Sequence, residues 1–95
     1  MKKSDLKYNI AALREFKQLT GISSFKLTNE EILDPDYFGA LSYVGLKYGK
    51  YSDTSDVPSR EEIEEGLSLK DAAVVWEAFA EWCNLGTDKE DDPKN

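Results

Sequence analysis

The run "SLKDAAVVWEAFAEWCN", Ser68 to Asn84, decides the fold class. Ser68 followed three residues later by Asp71 is a helix-start signal, in which a carboxylate reaches back to the free backbone amides. At about 100° per residue, Trp82, Val75, Phe79, Ala72, Cys83, Trp76, Leu69, Ala80 and Ala73 share a broad apolar arc. Only Lys70, Glu77, Glu81 and Asn84 form a clear polar edge. A surface helix needs an apolar stripe of only ~100°. The excess predicts either that other helices cover this one from two sides or that part of it is left for another chain.

Working outward, the preceding segments carry their own start and stop signals. Ser59 with Glu62 makes a capping box for a short helix that Gly66 interrupts. "GKYSDTSDVP", residues 49–58, is the main loop, rich in Gly, Ser, Asp and Thr and closed by proline. Asp34 before Pro35 fits a cap with proline in the first helical turn. From Pro35 to Tyr48 the wheel aligns Tyr37, Phe38, Leu41, Val44, Gly45 and Tyr48, and Gly49 marks the stop. Thr28 with Glu31 opens a further short turn.

In "NIAALREFKQLTGIS", Asn9 is the N-cap, and Ala12, Leu13, Phe16, Leu19 and Thr20 share a face. Gly21 fits the left-handed stop. Residues 1–8 are polar, with Leu6 and Tyr8 alternating like a short extended segment. The expectation is an all-α single domain, a bundle of about four to five helices over 9–86. An N-terminal arm, 1–8, precedes it, and an acidic tail, 87–95, is expected to be disordered.

Ninety-five residues suffice for one domain with a modest core, burying roughly 60–65% of the unfolded surface. A net charge of −7 argues against nucleic acid and anionic membranes as partners, because neither rewards a carboxylate-rich surface. The opening "MKKSDLKYNI" lacks a signal-peptide apolar run, no stretch approaches a bilayer-spanning length, and the single cysteine forms no internal bridge. A soluble cytoplasmic protein is the expectation.

Catalytic chemistry finds little support. The chain has no histidine, the commonest general base and metal ligand. Cys83 lies on the apolar arc beside Trp76 and reads as a core-filling thiol. Glu61, Glu62, Glu64 and Glu65 surround a helix start, where the helix dipole favours negative charge, and their spacing is not that of a calcium loop. The glycines of "DPDYFGALSYVGLKYG" match no phosphate-binding fingerprint, and Gly39 and Gly45 read as places of close backbone approach. No enzyme activity, metal or cofactor is expected. Tyr43 lies opposite the main face of its helix and Leu46 between the two sides.

Together "ALREFKQLTG", "LTNEEILDPDYFGALSYVGLKYG" and "SREEIEEGLSLKDAAVVWEAFAEWCN" resemble the small tail assembly chaperones of long-tailed, siphovirus-type phages and prophages. The likeness is collinear over residues 6–85: a Leu19-Thr20-Gly21 turn, an acidic Leu27–Asp36 segment, Val44-Gly45-Leu46-Lys47, then a final amphipathic helix. The resemblance implies a non-enzymatic protein of the host cytoplasm that binds the tape measure protein, a very long helical chain, and keeps it soluble. It further implies recruitment of tail tube protein; self-association is a separate expectation. Helices bind helices through anchors at i, i+3, i+4 and i+7, and aromatic side chains dominate such contacts. On that basis Tyr43, Leu46, Val75, Phe79 and Trp82 are the candidate partner-binding residues. The rival expectation is an acidic inhibitor mimicking nucleic acid on a basic partner, with Glu61–Glu65 and Asp88–Asp92 as its charged surface.

Overall fold

A computed structural model of the chain describes residues 1–28, 30–54 and 56–87. Its elements are α1 (Ile10–Thr20), α2 (Pro35–Tyr48), α3 (Arg60–Glu65) and α4 (Leu69–Thr87), with 3-10 turns at Lys3–Asp5, Ser24–Lys26 and Glu31–Leu33. Among the described residues there is no strand, so the chain is all-α, as expected. The expected acidic tail lies outside the described residues from Asp88 onward.

The helix boundaries follow from local chemistry. Asn9 Oδ1 accepts the Ala12 amide at 2.9 Å, and Gly21 closes α1 at φ 83°, its amide donating to the Lys17 carbonyl. Asp34 Oδ1 accepts from the Asp36 amide beside Pro35, starting α2. Thr28 and Glu31 satisfy each other's amides, as do Ser59 and Glu62. Asp71 accepts from the Ser68 amide at 3.0 Å and begins α4. Each bond occupies a donor that helix geometry leaves without an internal partner. At its other end α4 runs beyond the Ser68–Asn84 stretch, through Gly86 to Thr87.

The centre of the molecule is α2. It touches α1, α3, α4 and the Glu31–Leu33 turn. Phe38, Ala40, Leu41 and Val44 supply its apolar contacts, while Gly39, Ser42 and Gly45 are buried as well. The burial therefore extends well beyond the stripe visible on the wheel. Small residues make this possible, because they thin the helix where neighbours must come close. At Gly45 a Cβ would meet the Tyr8 hydroxyl, with Tyr8 Cζ at 2.6 Å and Leu6 Cδ2 at 2.8 Å.

The N-terminal segment is the main surprise. Leu6 and Tyr8 are core residues at 3% exposure each. The Lys7 amide donates to the Gly45 carbonyl, and the Lys50 amide donates to the Asp5 carbonyl. The first bond satisfies one of the carbonyls that α2 leaves free at its end. Tyr8 completes the attachment, its hydroxyl donating to the Leu41 carbonyl at 2.8 Å and its ring meeting Phe79 edge-on at 5.7 Å. The alternation of Leu6 and Tyr8 placed both on one side of an extended segment, and that side faces the core.

Candidate functional site

Three pieces of chain meet beside the start of α1. The Asn9 cap makes Ile10 the first helical residue, and its side chain points outward at 70% exposure. After the Gly21 turn, Ser23 Oγ accepts from the Phe25 amide; the resulting 3-10 turn buries Ser24 and leaves Phe25 70% exposed. From the far side α4 brings Trp82, 37% exposed, and half-buried Cys83. These groups line a groove of about 420 Å³ with Leu13 and Tyr8. A second cleft of about 320 Å³ shares Ile10, Leu13 and Phe25 with it and continues toward Arg14 and Lys17.

Scattered exposed apolar residues are ordinary, whereas contiguous ones mark interaction sites. Here Ile10, Phe25 and Trp82 converge on one concavity. Covering an Ile or Phe side chain fully is worth about 1.5–3 kcal/mol, so this surface rewards a docked apolar partner.

The rest of α4 divides along its length. Ala72, Val75, Ala78 and Phe79 are buried, while Leu69 is 74% exposed, Ala73 is exposed, and Trp76 and Ala80 are half-buried. Leu69, Ala73, Trp76 and Ala80 follow spacings of four, three and four, so they form one edge. That edge runs from the groove toward another concavity of about 380 Å³, between Leu33, Phe38, Leu67 and Leu69. The broad arc read on the wheel is thus core on one side and only partly covered on the other.

Of the five expected contact residues, only Trp82 lies on the groove. Val75, at 0% exposure, and Phe79, at 5%, are core and offer no surface to a partner in this fold. Phe79 is covered in part by the N-terminal segment, whose Tyr8 ring meets it edge-on, and α4 also packs against α2 and the Glu31–Leu33 turn. Tyr43 is half-buried on another side, with Lys47 Nζ 5.7 Å from its ring centre. Leu46 is half-buried and lines a separate cleft of about 770 Å³ with Tyr51, Val57 and Ile63. The five are not brought together.

Ile10 and Phe25 were missed by the sequence reading. Ile10 falls off the α1 stripe, an apolar residue facing away from the core side. Phe25 is an aromatic between serine and lysine in a connection. Both are signals, though weak ones until the fold shows them meeting.

Several polar groups hold the fold. Glu62 and Asp71 cap helices, and Arg60 Nε donates to Glu64 Oε2 at 2.7 Å. Glu15 accepts from Lys47 Nζ at 2.9 Å and from the Tyr48 hydroxyl at 2.8 Å. Those bonds raise the Lys47 and Tyr48 pKa values above their ordinary positions, against the effect of burial at Lys47 and with it at Tyr48. Burial pushes the Cys83 thiol up, away from the thiolate form a nucleophile requires. Among the described residues no cluster of His, Cys, Asp or Glu could hold a metal ion, and no helix is long and apolar enough to cross a membrane.

Compared with protein-family models, with curated proteins and with solved structures, the chain matches none of them.

Proposed function

We propose that the chain is a small non-enzymatic tail assembly chaperone acting in the host cytoplasm. It binds the helical tape measure protein of a long-tailed phage, keeps it soluble and helps recruit tail tube protein. The observation that carries this reading is the convergence of exposed Ile10, Phe25 and Trp82 on a groove with an almost wholly apolar lining. A helix lays its apolar side chains into such a groove one turn at a time. The α4 edge, with Leu69 and Ala73 exposed and Trp76 and Ala80 half-buried, extends the contact to further turns. A net charge of −7 keeps the chaperone and its cargo dispersed. The collinear resemblance of residues 6–85 supplies the identity of the partner.

Co-expression tests the proposal. The tape measure protein is expected in the soluble fraction when this chain is present and in the pellet when it is absent. Equal solubility in both cases contradicts it.

A further inference from the structure

The groove has a chemical polarity of its own, distinct from that of the chain. Residues 7–26 contain four basic side chains, Lys7, Arg14, Lys17 and Lys26, and one acidic side chain, Glu15, in a protein whose net charge is −7. All four cations are exposed. Arg14 and Lys17 line the cleft that shares Ile10, Leu13 and Phe25 with the groove. The one carboxylate is drawn off this face by Lys47 and the Tyr48 hydroxyl on α2. Among the described residues, no ion pair involves any of the four cations.

We infer that the groove selects an acidic amphipathic helix: apolar anchors over Ile10, Phe25 and Trp82, with Asp or Glu side chains beside them facing Arg14 and Lys17. This deepens the helix-docking proposal and rests on it. Charge complementarity names the occupant, because a rim of one sign steers the opposite sign and penalises its own. A concave apolar floor suits a polypeptide side chain better than a phosphate backbone, which the remaining acidic surface repels. The same repulsion disfavours an anionic bilayer.

The test uses the full chain and two synthetic helical peptides with identical leucines at i, i+3, i+4 and i+7, one flanked by glutamates and one by lysines. The glutamate peptide is expected to bind on the order of tenfold more tightly at low salt, with the gap closing at high salt. Arg14→Glu with Lys17→Glu should invert the preference at unchanged melting temperature, and Phe25→Ser should weaken both peptides. Equal affinities, or a lysine preference, overturn the inference while leaving helix docking intact. No binding of either peptide overturns both. The inference also fails if the groove is filled by a second copy, seen as Phe25-dependent self-association. It fails as well if phosphatidylserine vesicles bind the chain and Arg14→Glu with Lys17→Glu abolishes that binding.

Discussion

Gly45 is where the N-terminal segment locks onto α2. A methyl group there meets the Tyr8 ring and Leu6, both enclosed. Gly45→Ala is therefore expected to cost about 1–3 kcal/mol, the usual penalty for overpacking. Denaturant titration checks it, and an unchanged midpoint contradicts the tight contact. Ser42 behaves oppositely. Its hydroxyl is fully buried and has no hydrogen-bond partner among the described residues. Removing an unpaired buried polar group while adding helix propensity makes Ser42→Ala neutral or stabilising by up to ~1 kcal/mol. A clear loss of stability would reveal a bond made by that hydroxyl. Phe25 belongs to a third kind, exposed and contributing little to folding, so its loss reads out function separately from stability.

Helix α1 depends on its ends as much as on its buried face. Asn9→Ala removes the bond to Ala12 and is expected to lower stability by ~1 kcal/mol, whereas Asn9→Gly costs only a few tenths. Thermal melts measure both, and an unchanged midpoint for Asn9→Ala would show that the cap bond does not support α1. Such caps are why most element boundaries were legible in the sequence: a short polar side chain beside a free amide is a local signal. Burial is not local. Leu6 and Tyr8 read as an arm because their partners, Leu41, Gly45 and Phe79, lie more than thirty residues away. For the same reason Val75 and Phe79 could not be separated from Trp82 on a wheel. The arc was visible, but which part the N-terminal segment covers was not. Phe25 and Ile10 become a site only when α1, its following turn and the end of α4 converge.

Taken as a whole, the molecule couples its folding to proton release at high pH. Burial raises the Tyr8 pKa well above its ordinary value. Hydrogen bonding to Glu15 raises those of Lys47 and Tyr48. Each folded-state pKa lies above its unfolded counterpart, so on alkalinisation the unfolded chain releases these protons first. Their stabilisation is complete below the ordinary values of about 10 and is lost as pH climbs through the raised ones. Stability is expected to be level from about pH 7 to about pH 8, to begin falling near pH 9 because burial raises the Cys83 thiol in the same sense, and to fall steeply above about pH 10. Denaturation midpoints across that range check the sign, and a rise above pH 10 contradicts it.

The same molecule combines a net charge of −7 with an apolar groove whose adjoining cleft carries Arg14 and Lys17, and two substitution sets tell those surfaces apart. The decisive readout is the yield of soluble tape measure protein co-expressed with Ile10→Ser plus Phe25→Ser, against Glu61→Gln plus Glu62→Gln plus Glu65→Gln. On the proposed function, the groove pair should abolish the rescue with the chain still folded, while the neutralised carboxylates leave it in place. Rescue that survives the groove pair and disappears with the carboxylates would mean that charge, not exposed apolar surface, is what this protein offers its partner.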